Sequence, residues 1–168
     1  LTDLVQEIIN LSRLQDSDPL SVPSELHVQD LIREAIDQTQ VTADSRHIVV
    51  SNSDSVDGVI LGDREQLIMA IQNLIENAIK YAIAPSEAGG KLVIAARLDG
   101  EFVEVEVTDT GPGLENYQIE PDAVGVGLRN TIDRLHEFYG DNYKFRLERA
   151  KPSGLNVYMR MPLDKQPK

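Results

Sequence analysis

Apolar positions along this chain recur in two rhythms, one every three to four residues and one at alternate residues. The first stretch, Leu1 to Leu14, places Leu1, Leu4, Val5, Ile8, Ile9, Leu11 and Leu14 close to a helical period. Asp16-Ser17-Asp18-Pro19 ends it, and Pro19 to Pro23 reads as a linker. A stripe of that kind needs something to bury against, so a helix packed in a dimer or bundle is expected. Val28 to Thr42 reads as a second amphipathic helix, with Val28, Leu31, Ile32, Ala35, Ile36 and Val41 on one side. His47 to Ser51 and Val56 to Leu61 read as short strands. Asp63-Arg64-Glu65-Gln66 has the form of a capping box, with Asp63 as N-cap and Gln66 at the third helical position. The helix it opens is predicted to run to about Ala82.

The second rhythm dominates the C-terminal half. Lys91 to Leu98 and Glu101 to Asp109 are expected to form a hairpin around Asp99-Gly100, a dipeptide that suits a type I′ turn. Val103, Val105 and Val107 alternate with Glu104 and Glu106, which predicts one buried and one wet face. Pro85 to Gly90 reads as a loop, and Thr110 to Val126 as an irregular, mobile one. Leu128 to Tyr139 reads as a helix stopped near Gly140. Tyr143 to Glu148 and Leu155 to Met161 read as a last pair of strands, and residues 164–168 as a tail. Strands on one side and about three helices on the other predict a two-layer α/β sandwich with a mixed, mostly antiparallel sheet. The predicted organisation is a helix end over 1–18, a linker over 19–24, a domain over 25–163 and the tail.

Composition narrows the chemistry. The chain has 168 residues, 41% of them hydrophobic, enough for one domain with a real core. It contains no cysteine, which excludes disulfides, thiolate zinc sites and cysteine nucleophiles. The formal net charge of -12 disfavours nucleic acid. No apolar run approaches the roughly 20 residues of a membrane span. The start at Leu1 rather than Met reads as a piece of a longer protein.

Three segments carry candidate chemistry. On the helix after Asp63, Asn73, Asn77 and Lys80 share one face. Asparagine is a poor residue inside a helix, so this face is either merely solvated or faces a polar ligand; an amide oxygen suits Mg²⁺ and a lysine suits phosphate. Asp109 extends the Val103, Val105, Val107 alternation and should point inward, where a carboxylate needs a donor. Gly111 and Gly113 follow it, and an ordinary turn is the simpler reading of that run. Gly125-Val126-Gly127-Leu128 opens a helix, where free N–H groups and the helix dipole favour an anion. Neither a dinucleotide-binding strand–GxGxxG–helix pattern nor a P-loop is present.

Taken together, Asn73-Leu74-Ile75-Glu76-Asn77-Ala78-Ile79-Lys80-Tyr81, Asp109-Thr110-Gly111-Pro112-Gly113 and Gly125-Val126-Gly127-Leu128 resemble the N box and the two glycine boxes of the GHKL ATPases: histidine kinases, Hsp90, type II topoisomerases and the mismatch-repair protein MutL. The resemblance covers roughly residues 24 to 163 and implies the Bergerat ATP-binding fold. It implies that Asn77 binds Mg²⁺ bridging the triphosphate and that Asp109 accepts the adenine amine. By the same resemblance Gly111 and Gly113 shape the adenine pocket, and Gly125, Val126, Gly127 and Leu128 meet the phosphates. Asn73, Lys80 and Tyr81 would line the pocket, with Arg129 and Asn130 as phosphate or lid contacts. Hydrolysing relatives carry a glutamate where this chain has Asn73. An amide is no general base at neutral pH, so the resemblance to histidine kinases implies slow hydrolysis and transfer to a protein histidine. No kinase turnover is expected of the chain alone, because the phosphoacceptor histidine is absent from it.

Residues 1–14 resemble the end of a dimerisation-domain helix whose phosphoacceptor partner lies upstream. His27, His47 and His136 match no acceptor motif and read as surface or packing histidines. The implied partners are ATP or ADP, that phosphoacceptor domain and a response regulator, with no nucleic acid and no membrane contact; the implied place is the cytosolic part of a membrane-anchored parent. Up to about Asn77 the chain resembles PhoR-like kinases, and from Lys80 on LytS-type kinases, a resemblance carried by Ala82-Ile83-Ala84-Pro85-Ser86-Glu87, Gly127-Leu128-Arg129-Asn130-Thr131, Arg134-Leu135 and Phe138-Tyr139-Gly140. A natural mixed subfamily and an engineered recombinant both account for this. A non-catalytic nucleotide-binding module, a GHKL ATPase of the Hsp90 or MutL kind and a serine kinase acting on an anti-sigma antagonist are the alternatives.

Overall fold

Buried apolar side chains come from one face of a five-stranded sheet and from the helices that cover it. The computed structural model describes residues 23–53, 56–79, 89–111 and 126–164, together with position 5. The stretches predicted as the first helix, the linker and the tail therefore lie outside the described residues, apart from Val5, Pro23, Ser24 and Asp164; Ser24, predicted as the end of the linker, opens the first strand. The elements run β1 (Ser24–His27), α1 (Val28–Ser45), β2 (Ile48–Asn52), β3 (Val59–Gly62), α2 (Arg64–Asn77), β4 (Gly90–Asp99), β5 (Phe102–Asp109), α3 (Val126–Tyr139), β6 (Lys144–Arg149) and β7 (Leu155–Pro162).

The large sheet has the order β2-β4-β5-β7-β6. β2 runs parallel to β4, and the other neighbours pair antiparallel. Its inner face is a set of alternate residues: Leu92, Ile94 and Ala96 on β4, Val103, Val105 and Val107 on β5, and Leu155, Val157, Met159 and Met161 on β7, all buried. Leu31, Ile32 and Ala35 of α1, Leu67, Ile71, Leu74 and Ile75 of α2 and Leu135 of α3 complete the same core. Each such Leu or Ile contributes about 1.5–3 kcal/mol by leaving water. This is the expected two-layer sandwich with a mixed, mostly antiparallel sheet and three described helices.

Several local expectations need correction. β1 pairs with β3 in a separate two-stranded sheet; its four residues hold one buried apolar side chain, Leu26, too little for an alternation signal. Val41 is 80% exposed. It sits six residues past Ala35, roughly 240° around the helix, and the stripe continues instead through buried Thr39 and Ala43. Thr39 lies inside because its hydroxyl donates to the Ala35 carbonyl at 2.9 Å. In the hairpin Asp99 pairs with Phe102, so the turn is Gly100-Glu101. Gly100 alone of the two has positive φ, at 60°, which suits a type II′ turn.

Helix starts show who caps whom. Asp63 accepts the Gln66 N–H at 2.9 Å, as expected of an N-cap. The return half of the capping box is missing, because the buried Gln66 Oε1 has no partner. α1 has no cap of its own; Asp57, from the segment just before β3, accepts the Gln29 N–H at 3.2 Å and pairs with His27 Nδ1 at 2.6 Å. α2 ends in a wider, π-type turn at Ala78 and Ile79, and its predicted continuation to Ala82 lies outside the described residues.

Candidate nucleotide-binding site

The site is assembled from one face of α2, the first turn of α3 and the end of β5. Leu67, Ile71, Leu74 and Ile75 bury α2 against the core, which fixes the azimuth of Asn73 and Asn77. Asn73 is 7% exposed. Its Nδ2 donates to the Gly127 carbonyl at 3.3 Å, so α3 starts directly over α2. Asn77 Nδ2 donates to the Asn73 carbonyl at 2.7 Å. That bond requires the nitrogen of the Asn77 amide to face the backbone and leaves its Oδ1 for a ligand. A Cβ on Gly127 would stand 3.5 Å from both Asn73 Cγ and Asn77 Nδ2, so the helix start touches both amides.

Asp109 ends the alternation of β5 with 1% exposure, pointing to the helix side of the sheet. Its Oδ1 accepts the Gly111 N–H at 2.7 Å and its Oδ2 the Leu155 N–H at 3.1 Å. A carboxylate offers about four acceptor positions, so capacity remains for an exocyclic amine. Burial pushes the carboxyl above the ordinary range, while the two N–H donors pull it back part of the way.

Two residues here escaped the sequence reading. Gly154 has φ +105°, and a Cβ on it would lie 2.0 Å from the Asp109 carbonyl oxygen and 3.0 Å from Asp109 Oδ1. Only glycine lets the chain pass so close. Leu155 then supplies its N–H to the carboxylate. The available signal was Pro152-Ser153-Gly154 immediately before a hydrophobic strand, which reads as a turn and gives no hint of its neighbour across the sheet.

The remaining predicted positions divide cleanly. Lys80, Tyr81, Gly113 and Gly125 lie outside the described residues, as does the side chain of Val126. Leu128 packs its side chain against the core, so its backbone N–H is what it can offer an anion. Arg129 is exposed and Asn130 half-buried on α3. Thr131, not predicted, is buried and donates its hydroxyl to the Gly127 carbonyl at 3.1 Å. Among the described residues no three carboxylate, histidine or cysteine side chains converge; a hard cation here would use an amide oxygen and ligand phosphates. An open groove of about 340 Å³ between α3 and β6, lined by Ile132, Tyr143, Lys144, Phe145 and Arg146, shares no residue with either cluster.

Comparison with known proteins fits this geometry. The model of the family described as histidine kinase-, DNA gyrase B-, and HSP90-like ATPase matches residues 62–165. The sensor-like histidine kinase SenX3 of Mycobacterium tuberculosis is 37% identical over 114 residues, 68% of this chain and 27% of SenX3. The sensor histidine kinase PdtaS of the same organism is 26% identical over 170 residues, 99% of this chain and 33% of PdtaS. The chain thus spans about a third or less of these relatives. The nucleotide-free catalytic domain of the histidine kinase ThkA shares the fold with a TM-score of 0.72 at 22% identity, over 86% of this chain and 99% of that domain. With the matched segment running from the end of β3 through β7, this chain belongs to the histidine kinase-, DNA gyrase B- and HSP90-like ATPase family, as an ATP-binding domain whose curated relatives are sensor histidine kinases.

Proposed function

We propose that this chain binds Mg-ATP and acts as the catalytic domain of a two-component sensor histidine kinase. The observation that carries the reading is the asparagine pair of α2 lying under the N-terminus of α3. A hard amide oxygen and a helix N-terminus in one place suit a cation bound to a triphosphate. Asn77 Oδ1 is assigned to Mg²⁺, which neutralises phosphate charge when bound. Gly125, Val126, Gly127 and the Leu128 N–H are assigned to the phosphates, with Lys80, Arg129 and Asn130 as further contacts and Tyr81 lining the pocket. Asp109 is assigned to the adenine amine, and Gly111 and Gly113 to the shape of the pocket around the base.

In the proposed transfer, a ring nitrogen of a histidine outside this chain forms a bond to the γ-phosphorus as the bond from that phosphorus to the β-phosphate oxygen breaks, leaving ADP. Asn73 takes no proton, so this chain contributes positioning and charge neutralisation. The parent is proposed to be membrane-anchored, with this domain in the cytosol and a response regulator downstream. Joining the chain to a dimerisation domain that carries a phosphoacceptor histidine tests the proposal. Acid-labile label should pass from ATP to that histidine, while the chain alone hydrolyses ATP slowly. Brisk hydrolysis by the chain alone would instead support an ATPase of the Hsp90 or MutL kind, and nucleotide binding without transfer a non-catalytic module.

A further inference from the structure

Asn73 is where this family's two chemistries part, and the geometry gives it a task beyond the lack of a base. The side chain is nearly buried, with 7% exposure. Its one described hydrogen bond goes across to α3, from Nδ2 to the Gly127 carbonyl at 3.3 Å. The same carbonyl accepts the hydroxyl of buried Thr131 at 3.1 Å. Below, the Asn73 backbone carbonyl accepts Asn77 Nδ2 at 2.7 Å. The residues thus form one chain of bonds from the amide assigned to the cation to the first turn of α3.

We infer that Asn73 is a positioning residue: its amide fixes the peptide between Gly127 and Leu128, so that the Leu128 N–H is aimed at the phosphates before any nucleotide arrives. The inference rests on the nucleotide-binding reading above. A peptide unit is planar and trans, so its C=O and N–H point in opposite directions. The Gly127 oxygen points along α3 toward Thr131, and the Asn73 amide holds it there from the side of α2; the Leu128 N–H therefore points toward the open N-terminal end of α3. The Leu128 side chain, packed on the core, keeps the turn from rotating. A glutamate at this position could not do the same, because an ionised carboxylate is an acceptor only and would repel the Gly127 carbonyl. The asparagine trades a water-activating group for a strut.

Hydrogen exchange on the nucleotide-free chain separates a strut from a direct phosphate contact. Asn73→Leu and Asn73→Asp both remove the donor. In each, the amides of Asn130, Thr131 and Ile132, which close the first turn of α3 by bonding to its carbonyls, should exchange about tenfold faster than in the parent, with the amides of β5 and β7 unchanged. ADP, titrated without Mg²⁺, should bind the uncharged Asn73→Leu variant about tenfold more weakly, and adenosine equally well. Thr131→Ser, which keeps a hydroxyl, should behave as the parent. Unchanged exchange at α3 in both Asn73 variants, or equal weakening of ADP and adenosine, would overturn the strut. If the parent itself binds neither ligand, the nucleotide reading fails, and the exchange rates still decide whether Asn73 holds α3.

Discussion

At the scale of single residues, the site rests on close approaches that tolerate few substitutions. Gly154 combines φ +105° with a would-be Cβ contact of 2.0 Å to backbone. Gly154→Ala should cost about 2 kcal/mol or more in unfolding free energy and disturb Asp109. Gly127→Ala meets the asparagine amides at an ordinary 3.5 Å and should fold with near-parental stability. Equal losses in a denaturant titration would contradict this contrast. Asp109 adds a pH signature. Its carboxyl is held above the ordinary range by burial, so the folded chain keeps this proton to higher pH than the unfolded one. Its contribution to stability is present at low pH and is lost as pH rises from the unfolded value through the folded one. Binding has the opposite sense, because the ionised form is the full acceptor. ADP affinity should fall as pH drops through that raised value, beginning above the range of an ordinary aspartate; an affinity flat down to the usual range would contradict the assignment.

At the scale of elements, what could be read from the sequence was what depends on neighbours along the chain. The α2 stripe of Leu67, Ile71, Leu74 and Ile75 and the valine alternation of β5 are periodic, and both are buried as expected. The asparagine pair and Asp109 followed from those same periods. What escaped depends on neighbours across the fold. β1 exists because β3 pairs with it. Thr39 is buried because its hydroxyl turns back on its own helix. Gly154 and Leu155 belong to the site because β7 lies beside β5. The cap of α2 offers a direct check. Asp63→Ala should cost about 1 kcal/mol. Gln66→Leu should be neutral or stabilising, since it removes a buried acceptor without a partner; a loss as large as that of Asp63→Ala would mean the capping box is intact. The start of α1 behaves differently. Its Asp57 hydrogen bond raises the His27 pKa above 6.5, so that support is full below the unfolded value and fades as pH rises through the folded one. His27→Gln should remove this pH dependence from exchange at the α1 N-terminus and leave α2 unchanged.

At the scale of the whole molecule, an acidic chain of net charge -12 is assigned a polyanionic ligand. Attraction must then be local: helix N-terminal N–H groups at α3, an amide oxygen on Asn77 and the cation it would hold. The adenine end is assigned separately to a buried carboxylate in the sheet, so on these assignments base and phosphates would be held by different layers of the sandwich. Among the described residues no helix is long and apolar enough to cross a membrane. Family membership makes this chain an ATP-binding domain. The most direct measurement is calorimetric titration of ADP and a non-hydrolysable ATP analogue into the parent chain and into Asp109→Asn, with and without Mg²⁺. The parent should bind both ligands, more tightly with Mg²⁺ and most so for the triphosphate analogue, and Asp109→Asn should abolish binding. Undiminished binding by a folded Asp109→Asn chain would contradict this expectation.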